Sequence, residues 1–89
     1  MNNDYRFNNL IDDILCNREV EFEFNRNNYS ITNAEKYWCF FDEGNDKNIK
    51  ICKFEETDVL VSFIKRLAIE NIYLKDIFDK ILYTDLYIL

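Results

Sequence analysis

The residues best placed to do chemistry are carboxylates that alternate with apolar side chains over Glu19–Phe24. A period of two predicts a β-strand with its carboxylates on one face and its apolar side chains on the other. The carboxylates are Glu19, Glu21 and Glu23, and we call them the glutamate ladder. Neighbours on one face of a strand are roughly 7 Å apart. Because like charges at that spacing repel, the ladder should face water or a basic partner.

Two interpretations of the glutamate ladder are open. At a sheet edge, charged residues discourage strands of other molecules from pairing, and this explanation needs no partner. Alternatively, the ladder acts with other acids, either in a predicted hairpin near residues 42–46 or near residues 55–58. Duplex DNA carries one charge per ~1.7 Å of axis, against one per roughly 7 Å in the ladder, so any imitation of DNA needs several acidic elements together. The predicted partner-binding residues are Glu19, Glu21, Glu23, Asp42, Glu43 and Asp46.

The residue inventory argues against an enzyme. The chain has no histidine, which removes the usual neutral-pH base and the commonest metal ligand. One glycine cannot form a phosphate-binding loop, and neither Ser30 nor Ser62 lies in a nucleophile-elbow motif. Adjacent acids such as Asp12-Asp13 are normally solvated. We therefore predict no catalytic, cofactor-binding or metal-binding residues.

Three cysteines, Cys16, Cys39 and Cys52, are scattered without a C-x-x-C pair, so they give no zinc signature. A hairpin turning at residues 43–47 can place Cys39 opposite Cys52, whereas a shift of one residue places it opposite Ile51. The first register would allow a redox-sensitive pair. Small buried thiols in an aromatic core are the simpler interpretation. An odd cysteine number without a signal peptide favours a reduced, cytoplasmic protein.

Length and composition indicate one domain over residues 1–89. Of the 89 residues, 48% are hydrophobic and 17% aromatic, which is enough for a single modest core. The formal net charge of −6 argues against long-range attraction to nucleic acid or to an anionic membrane. No apolar run is long enough to span a bilayer. The charge favours a protein partner with a basic surface.

Periodicity predicts a helix followed by four strands. Apolar residues at helical spacing begin at Phe7, with Asn3 or Asp4 as the N-cap and Cys16-Asn17 as the stop. The strands are expected at 19–25, 29–32, 37–41 and 49–54, joined by asparagine-containing turns and by Glu43–Asp46. The third strand is apolar on both faces, which is typical of the interior of a sheet.

Two helices are predicted after the strands. Thr57 is a candidate N-cap for the first, and the pattern loses its phase near Glu70-Asn71. The second should extend from about Leu74 to Leu82. The apolar segment Leu86–Leu89 either packs back on the domain or forms an interface. The predicted fold class is α+β, an antiparallel four-stranded meander with the N-terminal helix and two C-terminal helices on one face (α-β-β-β-β-α-α).

Several short segments carry a resemblance. They are Val20–Asn25, Tyr29–Thr32, Tyr37-Trp38, Ile49–Ile51 and Leu74–Phe78, and together they resemble a group of small uncharacterised proteins of low-GC Gram-positive bacteria and their mobile elements. The likeness covers most of residues 8–82. Glu70-Asn71 stands where that group has a turn glycine between its last two helices.

In size, acidity and element order, the chain is also similar to small phage anti-CRISPR inhibitors of the type II nuclease. Those proteins combine a short N-terminal helix, a small meander and C-terminal helices, and they block a DNA-binding groove with acidic residues. The similarity is one of build and charge, so it implies a class of partner and carries over no functional residue.

Three functions follow as hypotheses. The first is a non-enzymatic acidic protein-binding module that occupies the basic nucleic-acid site of a partner. The second is an assembly subunit that docks or forms a homodimer through the aromatic strand predicted at 37–41 and the segment Leu86–Leu89. The third is a sensor with a small-molecule pocket between sheet and helices. The candidate aromatic residues of the strands are Tyr29, Tyr37, Trp38, Phe40 and Phe41, although aromatics at strand spacing more often belong to the core.

Overall fold

A computed structural model describes residues 4–89 of the chain, and it contains three helices and seven strands. The elements are α1 (Phe7–Leu15), β1 (Val20–Phe24), β2 (Asn27–Ala34), β3 (Tyr37–Asp42), β4 (Lys47–Lys53), α2 (Thr57–Arg66), β5 (Ala68–Ile69), β6 (Ile72–Tyr73), α3 (Leu74–Asp79) and β7 (Thr84–Ile88). The α+β class is confirmed.

The main sheet has five strands in the order β4-β3-β2-β1-β7, all antiparallel to their neighbours. The predicted four-strand meander is present, but the fifth strand comes from the segment that includes Leu86 and pairs with β1. Of the two alternatives for this segment, packing back on the domain is therefore the one observed. β1 is consequently an interior strand, so the edge position that the first interpretation of the glutamate ladder predicts for it is wrong.

Two-residue turns join the first strands of the meander. Asn25-Arg26 and Glu35-Lys36 both adopt positive φ at both positions, which is the backbone of a type I′ hairpin turn. This turn matches the right-handed twist of the strands it joins, which is why it fixes a tight register. In the Glu43–Asp46 turn, Gly44 approaches the side-chain amide of Asn27 so closely that a Cβ there would displace that amide.

One face of the main sheet is covered by the helices, and the other is not. The apolar residues of β1, β2 and β3 alternate into a single core with residues of all three helices. The fully buried large side chains are Trp38, Phe22, Phe78, Leu10, Ile14, Ile31, Leu60, Ile64, Leu74, Ile77 and Val20. The side chains of the sheet that point away from the helices form what we call the open face.

The helix ends differ in detail from their predicted positions. Asp79 of α3 accepts a hydrogen bond at 3.0 Å from the backbone N–H of Phe7 and so caps α1, whose N-cap residue is Arg6. The predicted cap Asp4 is therefore not the N-cap, and the alternative Asn3 lies outside the described residues. The phase break at Glu70-Asn71 is a turn between β5 and β6. α3 ends at Asp79, because Lys80 is its C-cap and Ile81 has positive φ.

Candidate functional site

The open face carries a concavity of about 440 Å³ at the β1–β7 side of the main sheet. Glu21 lies on its floor, between Ser30 of β2 and Tyr87 of β7 in the strand register. The other lining residues are Phe22, Asn28, Tyr29, Phe41, Glu43 and Asp85. Three carboxylates from three separate segments thus surround a concave surface that no helix covers.

A fourth carboxylate, that of Glu23, lies next to Asp85 at the concavity. Glu23 lies two residues from Glu21 on the same face, and its side chain pairs with that of Asp85 across the β1–β7 bulge. This hydrogen bond, followed by desolvation and by repulsion from Asp85, raises the pKa of Glu23 above its ordinary value of 4.5. We call Glu21, Glu23, Glu43 and Asp85 the acidic site.

Local structure explains how the acidic site is held. A bulge between Glu21 and Glu23 shifts the β7 register, and Asp85 adopts a φ of 49° there. The bulge turns the Asp85 side chain onto the open face. On the other side, the backbone N–H of Glu43 donates to the carbonyl of Asn28 at 3.0 Å, which fixes the β3–β4 turn beside β2.

The structure brings together only part of the predicted partner-binding set. Glu21, Glu23 and Glu43 belong to the acidic site, whereas Glu19 accepts a hydrogen bond at 2.9 Å from the backbone N–H of Asn33. Glu19 is thus engaged within the protein by β2.

The other two predicted residues lie apart from the acidic site. Asp42 lines a different concavity, on the helix side of the sheet, and its two carboxylate oxygens accept from the backbone and side chain of Asn45. Asp46 is exposed at the end of the turn, with a φ of 51°. The acids near residues 55–58 are on the β4 side, and strand order separates that edge from β7.

Sequence reasoning missed Asp85 and Tyr87. The signal was present, since Asp85 and Tyr87 alternate with Leu86 and Ile88 as the faces of a strand do. Reading Leu86–Leu89 as one apolar segment hid this period. Tyr87 is 59% exposed at the rim of the concavity, so it adds an aromatic surface to the acids.

The acids of this site lack basic partners. The ion pairs found within residues 4–89 are Arg18–Asp13 at 3.9 Å and Lys75–Asp79 at 2.7 Å, and neither involves the acidic site. Lys50 of β4 also lies on the open face, with its Nζ 4.1 Å from the ring centroid of Tyr37. Its charge is thus engaged with an aromatic ring and forms no ion pair with the acidic site.

The cysteines are not brought together. Trp38 lies opposite Cys52, and a bulge after Trp38 then places Cys39 opposite Lys50. Neither predicted register for Cys39 is therefore correct. Cys52 is buried in the core, while Cys39 points to the open face. Burial raises the pKa of the Cys52 thiol, which keeps it protonated and unreactive.

Within residues 4–89, no three His, Cys, Asp or Glu side chains are grouped so that they could hold a metal ion. No helix in the same range has the length and apolar character needed to cross a membrane. Comparison of the chain with protein-family models, with curated proteins and with solved structures finds no match.

Proposed function

We propose that the protein is a non-enzymatic binding module whose acidic site docks on a basic surface of a partner protein. The observation that carries this proposal is the grouping of four carboxylates, without a basic partner, around a concavity on an uncovered sheet face. Such a grouping costs electrostatic energy in the free protein. A partner's lysine and arginine side chains would remove that cost, so binding should be strongest at low salt.

The partner class that fits best is a nucleic-acid-handling protein with a basic groove. The acidic site supplies negative charge from β1, β7 and the β3–β4 turn around one concavity, which meets the need for several short acidic elements acting together. The similarity of build to anti-CRISPR inhibitors supports a type II CRISPR nuclease as the partner to test first. In this role the protein would be a phage or mobile-element inhibitor that prevents DNA from binding.

The test is displacement of a labelled target DNA from a purified, guide-loaded type II nuclease, followed by fluorescence anisotropy at low salt. The chain should displace the DNA, and the site variant Glu21→Gln/Glu23→Gln/Asp85→Asn should do so roughly tenfold less well, because each exposed pair contributes about 0.2–1 kcal/mol. The control variant Glu35→Gln/Glu55→Gln/Asp58→Asn removes the same charge elsewhere and should retain most of the activity.

Two results would count against the proposal. Failure of the chain to displace DNA would reject this class of partner. An equal loss in the site and control variants would show that net charge matters, and that the acidic site has no special role.

A second candidate function, assembly through self-association, is supported by one observation. Tyr87 and Leu89 are 59% and 66% exposed beside the outer strand β7. Sedimentation equilibrium over a range of concentrations tests this function with the variant Tyr87→Ser/Leu89→Ser, which leaves the partly buried Leu86 and Ile88 intact. A dimer weakened by that variant would favour assembly, and a monomer at all concentrations would exclude it.

A further inference from the structure

β7 ends the main sheet on one side, and no strand formed by residues 4–89 pairs with its outer edge. The backbone hydrogen bonds between β7 and β1 show which backbone groups of β7 point away from the sheet. The N–H of Leu89 donates to the carbonyl of Glu19 at 2.7 Å, which marks these two residues as a hydrogen-bonded pair. Because such pairs alternate in antiparallel ladders, Ile88, opposite Val20, directs its N–H and C=O away from β1. A donor and an acceptor are therefore available at this edge.

The side chains next to this edge have different chemistry on the two faces of the sheet. On the open face, Tyr87 and Asp85 border the edge, and Glu23 pairs with Asp85. On the helix side, Leu86 and Ile88 are half-buried and pack against the core. A strand added here would thus have acids and an aromatic ring beside one face and aliphatic side chains beside the other.

We propose that the edge of β7 accepts an extended segment of the partner protein as a sixth strand, with lysine or arginine alternating with apolar residues. Backbone hydrogen bonds to Ile88 supply affinity in this mode of recognition, and alternate side chains supply specificity. The basic side chains lie on the open face beside Asp85, Glu23 and Tyr87, where they meet carboxylates and an aromatic ring. The apolar side chains extend the core beside Leu86 and Ile88.

Charge complementarity favours a basic segment over a second copy of this chain. Pairing β7 with β7 of another copy would bring two sets of Asp85 and Glu23 to one seam, and each chain carries a net charge of −6. Like charges directly opposite one another destabilise a strand pair. A basic strand instead places its charges next to unpaired carboxylates. The inference rests on the proposed function, since it specifies how that basic partner is bound.

The probe is an eight-residue capped peptide that alternates lysine with valine, and its control has the same four lysines and four valines in two blocks. The chain is assembled from synthetic segments 1–51 and 52–89 by ligation at Cys52, with and without an N-methyl group on Ile88. N-methylation removes the outward donor and leaves the side chain and the β1 ladder intact. We expect it to lower affinity for the alternating peptide about tenfold, from the lost hydrogen bond and steric block.

The expected pattern has two further parts. The block peptide should bind at least roughly tenfold more weakly than the alternating one, because its lysines fall on both faces. In the unmodified chain, bound alternating peptide should slow hydrogen exchange of the Ile88 amide, a measurement that does not depend on the folding of the methylated chain. Equal affinity of the two peptides, or no slowing at Ile88, would overturn strand addition.

The outcomes separate this inference from the proposed function. If N-methylation has no effect while Glu21→Gln/Glu23→Gln/Asp85→Asn weakens peptide binding, the acidic site binds basic segments without strand addition. If neither change has an effect, both proposals fail. A dimer of the chain alone that N-methylation of Ile88 abolishes would assign the edge to self-association and overturn the inference.

Discussion

The two outer strands of the main sheet differ in how their edges are protected. β4 carries lysines at positions 47, 50 and 53, and the outward N–H of Lys53 donates at 2.9 Å to the carboxylate of Glu56. β7 carries no lysine, and its edge is bordered by Asp85, Tyr87 and Leu89. Lysines and capped donors are devices that prevent strand addition. The β4 edge therefore carries both devices, whereas β7 has no lysine, which supports β7 as the edge of the proposed strand addition.

Side chains beneath the β4 edge are more deeply buried than those beneath the β7 edge. Trp38 lies opposite Cys52 in β4, is 1% exposed, stacks on Phe54 and donates from Nε1 to the Phe54 carbonyl at 3.3 Å. β7 contributes only the half-buried Leu86 and Ile88 to the core. A fully buried indole therefore lies beneath the β4 edge, whereas the side chains beneath the β7 edge are only half-buried.

The largest expected effect is beneath the β4 edge, at Trp38 of the neighbouring strand β3. Trp38→Ala should lower the free energy of unfolding by about 3–5 kcal/mol, because it removes a buried indole and leaves a cavity. Leu86→Ala at the β7 edge should cost only about 1 kcal/mol, since that side chain is partly exposed in the folded state. Urea denaturation measures both. Equal losses would show that the two edges are anchored alike.

The second prediction concerns the cap on Lys53. Glu56→Ala should accelerate exchange of the Lys53 amide and cost about 1 kcal/mol of stability, because it removes a hydrogen bond from an edge donor. Glu55→Ala is the matched control, since residue 55 makes no such contact to Lys53. Unchanged Lys53 exchange in Glu56→Ala would remove the capped-edge explanation for β4.

The third prediction is a pH effect confined to β7. The pKa of Glu23 is raised in the folded protein by its hydrogen bond with Asp85, so the stabilisation from the shared proton is complete below pH 4.5 and is lost as pH rises through the raised pKa. Amide exchange in β7, corrected for intrinsic pH dependence, should therefore quicken over that range. The flanking residues Asn28 and Thr84 are uncharged.

Asp85→Asn should flatten this pH dependence, because the amide keeps a hydrogen-bonding group and cannot ionise. Exchange at Lys53 in β4 serves as the internal reference. The same pH response at both edges would assign the effect to global stability and exclude the Glu23–Asp85 pair as its source.

The smallest expected effect is that of Lys50→Gln on the open face of β4. Loss of the cation–π contact with Tyr37 should lower stability by about 0.5 kcal/mol, because the site is exposed. Thermal unfolding of Lys50→Gln is compared with that of Lys47→Gln, because Lys47 lies on the same strand and lacks this contact. The difference between the two variants gives the stability that the Lys50–Tyr37 contact contributes. A loss as large in Lys47→Gln would assign the effect to strand charge and remove the role of the contact.

Local patterns in the sequence predicted most of the fold, and non-local pairing accounts for what they missed. The helix at Phe7 and strands β1 to β4 follow from periodicity and turn residues. The position of β1 could not be read locally, because it depends on Thr84–Ile88 returning across more than 60 residues of sequence to pair with it. The alternation of Glu19, Glu21 and Glu23 with apolar residues is the same whether β1 lies at the edge of the sheet or in its interior.

The candidate site was predictable to a similar degree. Charge and spacing in the sequence identified Glu21, Glu23 and Glu43. The structure places all three in the acidic site. Asp85 was missed because it reaches the site through the β7 bulge, which no local pattern announces. Glu19 and Asp42 were included because hydrogen bonds from Asn33 and Asn45 could not be foreseen from composition.

The most direct test of the account is a titration of the ¹⁵N-labelled chain with the alternating lysine–valine peptide, followed residue by residue by NMR at low salt. We expect amide shifts to concentrate on β1, β7 and Glu43, with the largest change at Ile88, and β4 amides to remain unchanged. Shifts that concentrate on β4, or that spread evenly over the chain, would contradict it.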